Sequence, residues 1–286
     1  MTTFAPPSAP PPLTPGNRTA VRVMLVIAAA VLVVGSVAGL GVTAWGLSSL
    51  RASNDGKDLP GNMRSLAIDG SDVSVTVKSD PKVTTPRAEL RTVGSSRRGQ
   101  QRLNVTTDAG QTRIRVTKDS DHVLGFGSSD LTVTLPPALA AGLFVTTQQN
   151  DGTLTVDADL NRLVARSSDG DVVLNGAVHV VDVSARDGDV ASRKALSISD
   201  SFVVDAVDGD VAVTFAEPAP RKITATTRDG DIALTLPETG PYLVKTRSEY
   251  ATSVDVPETT DPARAVSEVT ARSDDGNIAI DTRRRG

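Results

Sequence analysis

The sequence predicts an all-β fold, a β-solenoid or β-helix-like repeat domain, preceded by one transmembrane α-helix. Three observations carry this. An Asp-Gly pair recurs at near-constant spacing, apolar residues alternate on both sides of each pair, and one long uncharged run precedes them all. Composition agrees. Of the 286 residues 39% are hydrophobic but only 3% are aromatic, so a core must be assembled from Val, Leu, Ile, Ala and Thr, which suits strands.

Along the chain, residues 1–20 form a tail rich in proline, with Pro6, Pro7, Pro10, Pro11, Pro12 and Pro15. Proline at this density holds the backbone extended and supplies few donors, so this segment is expected to be disordered. Residues 21–50 are the expected membrane helix. No charge interrupts Val23 to Leu50, which exceeds the ~20 apolar residues needed to cross a bilayer. A cleaved signal peptide, with cleavage after Ala44, would have a shorter apolar region. Arg18 and Arg22 flank one end, and Trp45, Arg51 and Lys57 lie at or beyond the other. The short, acid-free, basic-flanked tail is expected to stay inside, leaving the C-terminal domain extracytoplasmic on a single-pass cell-membrane protein. The bilayer is therefore a partner through residues 21–50. Residues 51–60 read as a linker, 61–282 as the β-strand-repeat domain, and 283–286, with Arg283, Arg284 and Arg285, as a solvated basic end.

The repeat is Asp151-Gly152-Thr153, Asp169-Gly170-Asp171, Asp187-Gly188-Asp189, Asp208-Gly209-Asp210, Asp229-Gly230-Asp231 and Asp275-Gly276-Asn277. Its steps are 18, 18, 21, 21 and 46 residues, the last spanning two periods and hiding one degenerate unit around Tyr242 to Val256. Six and four positions before each Asp stand Val145/Thr147, Leu163/Ala165, Val181/Val183, Phe202/Val204, Ile223/Ala225 and Val269/Ala271. This is period two, hence strand. The residues between them, such as Arg166, Asp182, Ser184, Asp205, Thr224, Thr226 and Arg272, are expected to face solvent. The alternation resumes after each turn, for example at Val172/Leu174, Val211/Val213/Phe215, Ile232/Leu234/Leu236 and Ile278/Ile280.

Two architectures satisfy this pattern. In an antiparallel meander each Asp-Gly would close a type I′ hairpin. In a solenoid each unit is one coil, and like residues stack about 4.8 Å apart on the next coil. The constant period with chemically matched positions favours the solenoid. Residues 61–144 carry weaker versions of the texture, including Leu66-x-Ile68-Asp69-Gly70, Leu103-x-Val105, Ile114-x-Val116 and Leu131-x-Val133-x-Leu135. They are expected to be strands of a less regular, capping part, with Arg87 to Arg102 an exposed loop.

With these Ser/Arg-Asp-Gly-Asp-Val/Ile-x-Val/Leu units behind an N-terminal span, the chain resembles the bacterial putative-adhesin family of β-strand-repeat domains, of the membrane-anchored actinobacterial type. The resemblance covers residues 61–282. It implies an extracytoplasmic right-handed or flattened β-solenoid and an adhesive role, and it brings no catalytic residues.

Stacked coils would place Asp169, Asp187, Asp208 and Asp229 in one ladder and Asp171, Asp189, Asp210 and Asp231 in another. Carboxylates ~4.8 Å apart repel by roughly 1 kcal/mol per neighbour pair even in water. The expected remedy is that each Asp accepts amide N–H groups two residues on, the rest being screened. The alternative is Ca²⁺, bound by these eight aspartates as oxygen ligands, although neither calcium-binding nonapeptides nor a helix-loop-helix spacing is present. No other cofactor is expected. A formal net charge of -4 supplies no basic field for nucleic acid, and the absence of Cys removes thiol chemistry. His122 and His179, the only histidines, have no nucleophile motif beside them.

The chain is therefore expected not to be an enzyme. The expected function is a membrane-anchored binding or structural module whose partner is an extracytoplasmic protein or envelope polymer. An envelope-sensing protein relaying through the Pro-rich tail is the alternative, and a carbohydrate-active enzyme with one privileged Asp pair a third.

Overall fold

A computed structural model describes residues 50–95, 101–118 and 127–282. The tail, the apolar run before Leu50, His122 and the basic end at 283–286 lie outside the described residues. Among those described, no helix is long and apolar enough to cross a membrane.

The strands, numbered in chain order, begin with β1 (Leu50–Asp58), β2 (Ser65–Asp72), β3 (Ser74–Ser79), β4 (Arg87–Ser95), β5 (Gln101–Asp108), β6 (Gln111–Lys118) and β7 (Gly127–Leu135), followed by a single helical turn, α1 (Pro137–Ala140). Five regular coils follow, each with a first strand and a second. They are β8 (Phe144–Asp151) with β9 (Leu154–Asp157), β10 (Leu160–Asp169) with β11 (Val172–Asn175), and β12 (Ala177–Asp187) with β13 (Val190–Ser192). Next come β14 (Ser197–Asp208) with β15 (Val211–Thr214), and β16 (Lys222–Asp229) with β17 (Ile232–Leu236). The last two coils are β18 (Tyr242–Arg247) with β19 (Thr252–Asp255), and β20 (Ser267–Asp275) with β21 (Ile278–Thr282).

First strands form a 10-stranded sheet and second strands an 11-stranded sheet. Pairing between coils is parallel throughout the repeat, so the solenoid, not the hairpin meander, is the architecture. The register keeps like on like. Leu163 lies beside Val181, Val181 beside Phe202, and Phe202 beside Ile223. Each of the paired positions before the turns is at most 1% exposed, from Val145 and Thr147 to Val269 and Ala271. The residues after the turns complete one continuous core, with Ser192 only half-buried. The two largest rings in its middle, Phe202 and Phe215, meet edge to face at 5.1 Å.

At both ends spatial order departs from chain order. The coil of β20 and β21 inserts directly against β16 and β17, and the earlier coil of β18 and β19 is displaced to the outside. The degenerate unit at Tyr242 to Val256 is thus a coil, but it caps the stack instead of bridging it. At the other end β2 and β3 lie against β8 and β9, with β6 and β7 beyond them. Two antiparallel pairings, β5 with β6 and β4 with β7, finish this end.

Two expectations are corrected here. The stretch expected as an exposed loop, Arg87 to Arg102, carries β4 and the start of β5. Ala88 and Leu90 are buried in alternation, but Arg87, Glu89 and Arg91 on the outward face disguise the period. The stretch 51–60, expected as a linker, carries β1, the outermost strand of the larger sheet. It has no apolar alternation because it is an edge strand, tied down by a bond from the Leu103 amide to Asp55 Oδ2 (3.0 Å) and by buried Leu59, whose N–H donates to the Pro86 carbonyl at 2.7 Å.

Candidate functional site

Of the eight Asp-Gly pairs, the six of the repeat form the corner where each coil passes from one sheet to the other, and Asp55-Gly56 and Asp69-Gly70 lie within β1 and β2. Three constraints meet there. Glycine is required by close approach: a Cβ on Gly209 would fall on the carbonyl oxygen of Gly188, and one on Gly230 on that of Gly209. From Gly170 onward each corner glycine lies on the carbonyl of the glycine before it in the stack, and the column begins on the Val73 backbone, 3.0 Å from a Cβ on Gly152.

The same turn removes glycine carbonyls from the coil-to-coil ladder, and backbone groups left without a partner are costly when buried. On the inside, hydroxyls take up three of these carbonyls. Ser167 Oγ donates to Gly170 O at 2.9 Å, Thr227 Oγ1 to Gly209 O at 3.1 Å, and Ser273 Oγ to Gly230 O at 2.9 Å. All three side chains are buried, in a file that Ala185 and Ala206 occupy at the two coils between Ser167 and Thr227.

On the outside, the second aspartate of each turn supplies the missing acceptor. The N–H of Asp189 donates to Asp171 Oδ1 (3.1 Å), that of Asp210 to Asp189 Oδ1 (2.9 Å), and that of Asp231 to Asp210 Oδ1 (2.8 Å). Asn277 ends the series, donating both its backbone N–H (2.7 Å) and its Nδ2 (3.1 Å) to Asp231 Oδ1. These aspartates thus accept an amide from the next coil, not from two residues on within their own turn. Sequence reasoning finds the residues but not the partner, because coil-to-coil pairing is invisible locally.

The first aspartates form a second column, in register from Asp72 through Asp151, Asp169, Asp187, Asp208 and Asp229 to Asp275. Arg228 enters this column, reaching Asp208 at 2.9 Å and Asp229 at 3.1 Å. Hydrogen bonding to Arg228, then to Asp208, holds the Asp229 carboxyl below its ordinary value. Asp208 and Asp275 are each raised, chiefly because they share a hydrogen bond with Asp229. The eight aspartates considered as calcium ligands are therefore brought into two exposed columns. One oxygen of each of Asp171, Asp189, Asp210 and Asp231 is already engaged by an amide. Among the described residues no group of three or more Asp, Glu, His or Cys side chains is gathered as a metal ion would need.

His179 stands exposed on β12, its Nδ1 2.7 Å from Ser199 Oγ on the next coil. The surface clefts are open. One of about 250 Å³ is lined by Gln148, Asn150, Arg166, Ser184 and Arg186, and another of about 480 Å³ by Leu243, Val244, Glu258, Thr259 and Thr260.

Fold and corner together define a parallel β-repeat module built on stacked Asp-Gly turns. The chain belongs to the Toastrack DUF4097 family, which matches residues 62–283. Among solved structures it is similar to a putative adhesin from Parabacteroides merdae (10% identity, 82% of this chain and 97% of that one, TM-score 0.45). It is also similar to a putative adhesin from Bacteroides fragilis (13%, 80% and 97%, 0.43) and to a putative cell adhesion protein from Clostridium sporogenes (9%, 82% and 100%, 0.41). No curated protein matches the chain in sequence.

Proposed function

We propose that the chain is a non-catalytic, adhesin-like binding module, tethered to the cell membrane through residues 21–50 with its solenoid on the extracytoplasmic side, and that it binds an extended envelope polymer or protein along its sheet faces. The observation that carries this reading is the repetition of the outward columns. On the smaller sheet Thr146, Val164, Asp182, Val203, Thr224 and Thr270 stand side by side in register. On the larger sheet Ala191, Ala212, Ala233 and Ala279 do the same. Side chains of similar size at a constant rung of about 4.8 Å make a flat, regular surface, which suits a ligand that is itself extended and repetitive. The tether rests on the uncharged run from Val23 to Leu50.

The test combines two measurements on cells producing the full chain. External protease is expected to remove the solenoid from intact cells, and isolated envelope polymer is expected to sediment with those cells and not with cells lacking the chain. Protection from protease reverses the orientation. Replacing Thr224, Val203 and Asp182 by lysine, which roughens one outward column without touching the core, should abolish polymer binding, and unchanged binding would sink the reading of the sheet face as the site.

A further inference from the structure

The corner that stacks so regularly is not equally sealed in every coil. At four of the six corner Asp-Gly pairs the glycine N–H is seen donating to the next coil. Gly170 donates to Asp187 O (2.8 Å), Gly188 to Asp208 O (3.1 Å), Gly209 to Asp229 O (3.0 Å) and Gly230 to Asp275 O (3.1 Å). The pair at the outer end of the stack differs: among the described residues nothing accepts the N–H of Gly276.

At Gly276 the cause is visible. The coil outside it turns through four residues, Ser248 to Ala251, where the regular corners use two. Pairing between β18 and β20 ends at Arg247 and Arg272, so no outer strand residue reaches the level of Asp275. The wider loop swings outward, leaving Tyr250 62% exposed, and satisfies the neighbouring groups differently, with Ser248 Oγ donating to Gly276 O at 2.6 Å.

We propose that Asp275 is a site of spontaneous isoaspartate formation, and that the coil-to-coil bonds protect the Asp-Gly pairs at the interior corners from the same reaction. The amide nitrogen of Gly276 attacks Cγ of Asp275. The new N–Cγ bond forms as the Cγ–OH bond breaks, and the amide proton and the hydroxyl leave together as water. Solvent water then opens the five-membered imide. Cleavage at the backbone carbonyl yields an isoaspartyl link through Cγ, and cleavage at Cγ restores aspartate. Solvent water is the sole co-reactant, and the isomer has the mass of the starting chain.

Glycine is the residue that least hinders this attack, and an N–H engaged with a carbonyl must first be freed before its nitrogen can approach. The exposed Asp275 carboxyl, whose proton is held more tightly through its bond to Asp229, spends more time in the neutral form from which water departs. The isomer carries one extra backbone carbon ahead of β21. Ile278 and Ile280, both buried, would then no longer lie level with Ile232 and Leu234.

The test is an ageing experiment on the full chain in detergent, incubated at mildly acidic and neutral pH, digested and read for isoaspartate at each Asp-Gly pair by fragmentation mass spectrometry. Asp275 is expected to convert at least about tenfold faster than Asp169, Asp187, Asp208 and Asp229, a ratio equal to about 1.4 kcal/mol. In denaturant all six corner pairs should convert at similar rates, which assigns the difference to the fold. Equal conversion of all six in the folded chain, or an unconverted Asp275 over a time in which the denatured chain converts, overturns the proposal.

Discussion

The five coils between Phe144 and Leu236 and the coils at the two ends are made of similar strands, yet only the middle coils stack in the order of the chain. The difference lies in the corners. A middle coil turns on two residues, and from Gly170 to Gly230 its glycine lies against the carbonyl of the preceding glycine, where a side chain would overlap backbone, so these coils stack corner on corner. The coil of β18 and β19 turns on four residues and cannot offer that surface. The coil of β20 and β21, which has Gly276 and Asn277 at its corner, takes the place beside β16 and β17, and the long-cornered coil is left at the edge. At the opposite end the connection from β6 to β7 spans eight residues, 119–126, and that coil too lies outside its shorter-cornered neighbour. Corner length, more than strand composition, decides which coil may be interior.

The sharpest way to break this comparison is to place a side chain in the glycine column. Gly209→Ala would put a methyl group on the Gly188 carbonyl, 2.8 Å from its carbon, at a φ of +152° that L-residues rarely adopt. A loss of about 4 kcal/mol or more is expected, the size that marks overlap with fixed backbone. Gly61→Ala, with nothing within 4 Å, should stay within about 0.5 kcal/mol. Denaturant unfolding of the two variants measures both, and equal effects would show that the column is not what fixes the stack.

Core packing gives the next contrast. Phe202→Ala, at a site fully buried against Phe215, should cost about 3–5 kcal/mol, whereas Val254→Ala, half-buried on edge strand β19, should cost about 1 kcal/mol or less. A smaller effect is expected in the outer ladder. Asp210→Ala removes the acceptor of the Asp231 amide and should cost about 1 kcal/mol. Asp210→Asn keeps an acceptor and relieves repulsion, so it should be neutral or stabilising, as Asn277 already is in form at the last rung. If Asn and Ala were equally damaging, the charge and not the hydrogen bond would be holding the ladder.

Much of the middle is legible in the sequence, because period two and a fixed repeat report the same core: every pair from Leu163/Ala165 to Val269/Ala271 is buried where the alternation places it. What escapes is whatever depends on a partner far along the chain. The role of Asp189 as acceptor for Asp210 needs knowledge of the neighbouring coil. The swap of the last two coils is signalled only by a missing Asp-Gly at Ser248 to Ala251 and its return at Asp275, which a linear reading takes for a gap in the repeat. β1 is missed because an edge strand keeps its faces in water, and β4, inside it, because its alternation is carried by as few as two residues, Ala88 and Leu90, beneath a charged outward face.

The smallest expected effect separates the two aspartate columns by pH. Asp208 and Asp275 have folded-state affinities for the proton raised above the ordinary aspartate value of 3.8, so the stability they add is fully present below that value and is lost as pH rises through their elevated titration. Asp229, held down first by Arg228, works in the opposite sense: its contribution is present above 3.8 and disappears as pH falls through its lowered titration. Between the two, just above 3.8, all three contributions overlap, so the melting temperature should pass through a shallow maximum on the acid side of neutrality. These groups are exposed and screened, so the rise should shrink in high salt. Arg228→Met removes the cation that distinguishes Asp229 from its neighbours. The acid-side fall should then move upward in pH, and a melting profile unchanged by this substitution would show that the column titrates as independent surface carboxylates rather than as one stack with a cation set into it.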